Sequence, residues 1–172
     1  MAHRQIYRMV KIGIFGQQGD LDPETIDVLL DEIIDQCCER FNSSAVNSLV
    51  SHASGYGLSK YVFEIGELRG AKTLGMILPS CQEETWYPSR GIEYIDESGT
   101  IHEEPEPTRM LDIAIWIGEL TPYEDWEKLS NIPKLKLITV SEHFMDWGAT
   151  TTWLNLNKVQ KRLIQPADPT NL

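Results

Sequence analysis

Hydrophobic and polar positions alternate along this chain between two periods, one suited to buried strands and one to amphipathic helices. Val10-Lys11-Ile12-Gly13-Ile14-Phe15 predicts a first strand. Asp22-Pro23-Glu24 then opens a helix, with Asp22 as the cap, Pro23 at its first position and Glu24 in its first turn. Ile26, Leu29, Leu30, Ile33, Ile34 and Cys37 follow at spacings of three and four and make one broad apolar face, while Asp27, Asp31, Glu32 and Asp35 fall mostly on the other. Ser48 to Ser51 predicts a short second strand. Leu58 to Arg69 predicts a second helix, with Leu58, Tyr61, Val62, Ile65 and Leu68 inward and Gly70 at its end. Thr73 to Leu78 predicts a third strand closed by Pro79, and Met110 to Ile117 a fourth. Thr121-Pro122-Tyr123-Glu124 is a helix start, with Thr121 at the cap, Pro122 next and Glu124 in the capping-box position. Leu135 to Val140 predicts a fifth strand and Thr152 to Ile164 a closing helix.

Strands alternating with helices build βαβ units, and the nearly continuous apolar strands suit a sheet buried on both faces. The expected fold is α/β: a Rossmann-like three-layer sandwich with a mainly parallel five-stranded sheet, in one domain spanning residues 1–172. The competing arrangement is an α+β fold with mixed pairing. Residues 91–107 carry Glu93, Asp96, Glu97, Glu103, Glu104 and Glu106 with no Lys or Arg, and Pro105 and Pro107 discourage regular structure. They predict an acidic, solvated loop excursion. A parallel sheet binds ligands outside the carboxyl ends of its strands. Those ends are expected at Gly16 to Asp20, His52 to Gly57, Leu78 to Gln82, Gly118 to Thr121 and Ser141 to Phe144.

Charge narrows the class of ligand. The 172 residues hold 15 Lys and Arg against 26 Asp and Glu, a formal charge of −11. Such a surface does not attract the phosphate backbone of a nucleic acid, so no nucleic-acid partner is expected. It leaves room for a nucleotide, which a few backbone N–H groups can hold. Cys37, Cys38 and Cys81 form neither a disulfide framework nor a four-ligand zinc site, and His3, His52, His102 and His143 show no HExxH pattern. Neither metal nor cofactor is expected. With no long apolar span and no apolar core after Lys11, the expectation is a cytoplasmic protein without a membrane partner.

The strongest local signal is Ser51-His52-Ala53-Ser54-Gly55-Tyr56-Gly57-Leu58, between a strand and a helix. Gly55 and Gly57 permit backbone angles that larger residues resist, and the helix start offers unpaired N–H groups of positive polarity. A phosphate fits there, with Ser54 beside it; the same residues would also serve as a plain turn and cap. Gly16 and Gly19 bracket Gln17 and Gln18 at the tip of the first strand, where a glutamine can bond ribose hydroxyls or a base edge without adding charge. Gly118, Glu119 and Thr121 lie at the end of the fourth strand; Glu119 could hold ribose hydroxyls or act as a base. His52 stands where a donor to phosphate or a group titrating near neutrality would be useful, and as a turn residue bonded to backbone it would need no ligand. Trp86, in a loop after the third strand, can stack on a base or lie in a subunit interface. The aromatic residues near the C-terminus permit a homo-oligomer.

The string from Ser51-His52 through Gly55-Tyr56-Gly57 to Gly70-Ala71-Lys72-Thr73-Leu74-Gly75, with Ile12-Gly13-Ile14-Phe15-Gly16 and Asp112-Ile113-Ala114-Ile115-Trp116-Ile117-Gly118, resembles the SLOG superfamily. That group takes in the LOG-type nucleotide phosphoribohydrolases, the DprA-like proteins and the YpsA-related Rossmann proteins. The resemblance implies a nucleotide-like small-molecule ligand. The LOG motif Pro-Gly-Gly-x-Gly-Thr-x-x-Glu is replaced here by Ile117-Gly118-Glu119-Leu120-Thr121-Pro122-Tyr123-Glu124, without the paired glycines. Phe63-Glu64-Ile65-Gly66-Glu67 followed by Gly70-Ala71-Lys72 resembles the nucleophile helix of nucleoside 2-deoxyribosyltransferases, which implies Glu64 as the attacking carboxylate.

Three functional readings follow. The first is binding of a nucleotide or nucleotide derivative through the glycine-rich strand-to-helix turns. The second is an N-glycosidic bond hydrolase or transferase acting on nucleotides, with Glu64, Glu67 or Glu119 as the carboxylate and His52 as a proton donor to the leaving base. The third, motivated by the missing glycine pair, is a non-catalytic interaction protein on a degenerate Rossmann-like scaffold.

Overall fold

The computed structural model describes residues 9–53, 57–78, 92–104, 111–118, 123–130, 137–140 and 154–164. The elements run β1 (Val10–Gly16), α1 (Pro23–Arg40), β2 (Val46–His52), α2 (Leu58–Leu68), β3 (Lys72–Met76), β4 (Ile92–Ile95), β5 (Ile101–Glu104), β6 (Ile113–Ile117), α3 (Tyr123–Ser130), β7 (Leu137–Val140) and α4 (Asn157–Ile164). Among the described residues seven strands form one sheet, in the order β5-β4-β3-β2-β1-β6-β7. The β3-β2-β1-β6-β7 pairs are all parallel, and these are the five strands that the hydrophobic pattern predicts. The chain steps outward from β1 through β2 to β3, then returns to the other side of β1. The order therefore reverses between β1 and β6, the switch point of an open α/β sheet.

The sheet is larger than the predicted five strands because residues 92–104 are not a loop excursion. They form an antiparallel hairpin, β4 with β5, and β4 adds antiparallel to β3. Counting charges hid a short strand pattern: Tyr94 is fully buried in the core beneath the sheet, while Ile101, His102 and Glu103 stay exposed. Asp96 supplies the turn chemistry. Its Oδ1 accepts from the N–H groups of Ser98 and Thr100 and from the Ser98 hydroxyl, and its Oδ2 lies 2.7 Å from His102 Nε2. The Ser98 hydroxyl, His102 and the Thr100 N–H, in that order, hold the Asp96 carboxyl well below the usual carboxylate range. β5 ends at Glu104, the residue before Pro105 in the chain.

Two cores flank the sheet. On one face, alternate residues of β1 and β6 pack with α1, α2 and α4: Ile12, Ile14, Ile113 and Ile115 meet Ile26, Leu30, Ile33, Val62 and Val159. On the other, Phe15, Val50, Leu74 and Trp116 meet Leu129 of α3. The face predicted for α1 is buried throughout, and Asp22 Oδ1 caps the helix by accepting from Thr25 N–H at 2.8 Å. Cys37 belongs to this core, and burial pushes its thiol up to about 12, with Cys38 adding to the effect, so it behaves as a small hydrophobe. Gln36 clasps the lead-in to α4: its Nε2 donates to Asn155 O and its Oε1 accepts from Asn155 N–H. Arg69 reaches Asp31 and Asp35 of α1, and Arg162 reaches Asp31 and Glu32. Thr152 and Trp153, predicted within the closing helix, lie outside the described residues.

The inward face of α2 differs from the prediction. Leu68 is 87% exposed, and Gly66 is buried in the arc with Leu58, Val62 and Ile65. A side chain at Gly66 would begin 2.6 Å from Thr73 Cγ2 and 3.3 Å from Leu49 Cδ1. The bare backbone lets α2 settle against β2 and β3, and that rotates Leu68 outward.

The same contact yields a test. Gly66→Ala gains about 1 kcal/mol of helix propensity, but overpacking against a β-branched neighbour costs about 1–3 kcal/mol. The expected net result is a loss of up to about 2 kcal/mol in urea unfolding. Thr73→Ser removes Cγ2 and keeps the hydroxyl that meets Glu97. In that background Gly66→Ala is expected to be neutral or stabilising. A stabilising Gly66→Ala in the wild-type chain would show that the contact is not tight.

Candidate functional site

The switch point is built from the carboxyl ends of β1, β2 and β6. β1 and β6 run in register from Ile12↔Ile113 to Gly16↔Ile117. Gly16 has φ +113, and a Cβ there would lie 2.0 Å from Ile117 O and 2.8 Å from Ile117 N. Only glycine lets the two strands stay this close at their tips. Gly118, at φ +87, continues the pattern on β6, with Gln17 O the nearest atom to its missing side chain. The exposed residue between these glycines is Gln17. Gln18 is committed elsewhere, because its Nε2 donates to Leu21 O at 2.9 Å and closes the loop that holds Gly19.

The backbone donors of the two tips are used within the protein. Gln17 N–H donates to Ile117 O at 3.0 Å, Gly118 N–H to Val140 O at 2.8 Å, and Gly16 N–H to the ring of His52 at 3.0 Å. His52 thus takes the backbone-bonded role that its place in the turn also allowed, rather than that of a donor to phosphate. It is buried at 7% exposure, with the rings of Phe15 and Trp116 meeting it edge-on at centroid distances of 5.5 and 6.2 Å. Its Nε2 accepts from Gly16, so that nitrogen carries the lone pair and the proton of the neutral ring sits on Nδ1. Nδ1 faces Asp125 Oδ2 at 3.5 Å, beyond hydrogen-bonding range but close enough for electrostatic attraction. The Asp125 side chain is fully buried on α3. Burial lowers the pKa of His52 below its ordinary 6.5, against the opposing pull of Asp125. Ser51, next along the strand, points to the opposite face, and its buried hydroxyl makes no hydrogen bond among the described residues.

At the start of α2, Gly57 is the cap residue with φ +65 and ψ −139, angles that belong to glycine, and being glycine it has no side chain with which to cap the helix. Among the described residues no atom lies within 4 Å of where its Cβ would be. Ser54, Gly55, Trp86, Glu119 and Thr121 lie outside the described residues.

Glu64 and Glu67 are exposed on α2 and line a groove of about 630 Å³ with Lys60, Phe63, Thr73 and Glu97. α2 packs on one face of the sheet, and His52 packs with Phe15 and Trp116 on the other. The sheet separates them, so Glu64 or Glu67 and His52 do not assemble as carboxylate and proton donor. Among the described residues no group of His, Cys, Asp and Glu is arranged to hold a metal ion, and no helix is long and apolar enough to cross a membrane.

Asp125 is the site residue that the sequence concealed. Tyr123-Glu124-Asp125 reads completely as the acidic first turn of a helix. Nothing local marks the aspartate as buried against a histidine from another strand. No protein-family model, curated protein or solved structure matches this chain.

His52 makes stability depend on pH. The unfolded chain takes up its proton near pH 6.5, while the native state holds the ring neutral to lower pH. The contribution is complete above pH 6.5 and is lost as pH falls from there towards the native value. Between pH 7.5 and 5.5, His52→Gln, which retains an acceptor, is expected to flatten the decline in unfolding free energy. The slope removed is at most about 1.4 kcal/mol per pH unit, the limit for one proton. Parallel slopes for the two proteins in urea titrations would mean that the native ring titrates normally.

Proposed function

We propose that the protein binds a nucleotide or nucleotide derivative across the switch point, with its phosphate at the turn before α2 and its ribose or base against the β1 tip. One observation carries this reading: positive-φ glycines, Gly16 and Gly118, end the two strands between which the order of a parallel sheet reverses, with Gln17 exposed between them. Among the described residues nothing lies where a Cβ of Gly57 would be, which supports the phosphate position. The occupied N–H groups of Gly16, Gln17 and Gly118 sharpen the assignment. At β1 and β6 the ligand would meet the Gln17 side chain, and backbone donation to phosphate falls to the start of α2. The SLOG resemblance belongs to this proposal and rests on the residues that carry it.

Those occupied N–H groups also favour a second reading, a non-catalytic interaction protein whose turns serve only the fold. Under N-glycosidic cleavage, Glu119 is the carboxylate to test, since it follows Gly118 directly in the chain and Glu64 and Glu67 line a separate groove.

A thermal-shift screen of nucleoside mono- and diphosphates, cyclic nucleotides and NAD-derived ribose compounds separates the readings. A ligand present at a hundred times its Kd adds about 2.7 kcal/mol to native stability. For any hit, calorimetric titration is expected to show Gly57→Ala weakening the nucleotide by at least about 1 kcal/mol and the corresponding nucleoside much less. Gln17→Ala is expected to weaken both. The absence of any shift at millimolar concentration would favour the interaction-protein reading. Base release by the wild-type protein that Glu119→Gln abolishes would make the site catalytic.

A further inference from the structure

The buried pair of His52 and Asp125 lies beneath the β1 tip, and its geometry is specific about protons. Gly16 N–H is a donor, so His52 Nε2 must present a lone pair to it at 3.0 Å. The remaining ring proton lies on Nδ1, opposite Asp125 Oδ2. Among the described residues, the groups facing the ring are Gly16 and Phe15 from β1, Trp116 from β6 and Asp125 from α3. Of these, Asp125 alone has an ionisable side chain. The two aromatic edges, at interplanar angles of 89° and 76°, fix the plane of the imidazole. It cannot turn to another partner without unpacking Phe15 or Trp116, both fully buried.

We infer that His52 and Asp125 make the tip of β1 proton-responsive: a proton taken from solvent at His52 Nε2 removes the acceptor of the Gly16 N–H and releases the strand end on which the switch point is built. After protonation two donors face each other at Gly16, while the imidazolium gains a full charge opposite the Asp125 carboxylate. The pair therefore exchanges a hydrogen bond that holds the tip for an ion pair that does not. His52 acts here as a positioning residue, through the backbone of Gly16. Because burial lowers its pKa, the change belongs below pH 6.5. A pH-dependent affinity at the switch point rests on the nucleotide reading; the coupling of His52 to Gly16 does not.

The test uses the full chain labelled with ¹⁵N and followed by NMR from pH 7.5 downward without ligand. At pH 7.5 the His52 ring is expected to carry its proton on Nδ1 and none on Nε2. On acidification the Gly16 amide resonance is expected to shift with the same midpoint as the His52 ring, below pH 6.5. The exchange protection of that amide, corrected for intrinsic rate, is expected to fall about tenfold as its acceptor is lost. Asp125→Asn removes the stabilising charge, so both midpoints are expected to move together to lower pH. In His52→Gln the Gly16 amide is expected to stop titrating. Should that variant not fold, the wild-type and Asp125→Asn titrations decide the matter between them. A ring protonated on Nε2 at pH 7.5 overturns the inference. So does a His52 titration that leaves Gly16 unmoved, or a ring that stays neutral down to acid unfolding. If His52 and Gly16 titrate together while every nucleotide fails to bind, the nucleotide reading falls and the proton response stands. A bound nucleotide with a pH-independent Gly16 gives the reverse.

Discussion

Everything at the carboxyl end of this sheet depends on how closely β1 and β6 approach at their tips. At Gly16 the backbone of one strand occupies the space in which any other residue would place its Cβ, 2.0 Å from the Ile117 carbonyl. A Cβ cannot be accommodated at that distance by side-chain movement, because the obstacle is main chain. The glycine thus fixes the seam, and the seam brings Gln17, Gly118 and the helix start at Gly57 to one end of the molecule. The packing below follows from the same closure: Ile14 and Ile115 enter the core on one face, and Phe15 and Trp116 enter it on the other.

The second constraint is polar. A strand end beside a buried face must place its donors somewhere, and at Gly16 the available acceptor is an imidazole rather than a carbonyl. An aromatic ring suits that place, since it contributes apolar edges to Phe15 and Trp116 while presenting a lone pair to the backbone. It also places a titratable imidazole in the interior beside the buried Asp125. Asp125 offsets part of the cost of burying a charged ring, while the Gly16 N–H selects the tautomer. The result ties β1, β2 and α3 together through one side chain.

The parts of the fold that were legible in sequence are those set by local periodicity. The apolar face of α1, its Asp22 cap and the five parallel strands all follow from spacing and capping chemistry. The hairpin of β4 and β5 was not legible, because four-residue strands give too short an alternation to outweigh a run of acidic residues and nearby prolines. The misplacement of Leu68 has a related cause: hydrophobicity alone ranks leucine above glycine for an inward position, and only the proximity of Thr73 reverses the order. Of the candidate site, the glycines at the strand ends were visible as residue types in a strand-to-loop context. His52 was visible as a histidine that could bond to backbone, and Gly16 as its partner was not. Asp125 was masked by the helix-start signal that accounts for it equally well. Contacts between distant segments leave no local periodicity.

The topology gives the switch point a place in the order of folding. β1, α1, β2, α2 and β3 follow one another with short connections, and each new strand pairs with the one before it. The β1–β6 seam joins segments far apart in the chain: Lys11 N–H reaches Asp112 Oδ2 across 101 residues. Closing that separation carries a larger loop entropy than the neighbouring β1–β2 pairing, and it is repaid only when the long-range contacts form. The N-terminal half can therefore organise three strands and two helices before the β1 tip has its partner. A nascent chain cut short before β6 would carry Gly16 and His52 without the seam, exposing the apolar edge of β1 to other strands. The end of the sheet proposed to hold a ligand is completed only by the returning half of the chain, so its assembly reports that the long-range closure has taken place.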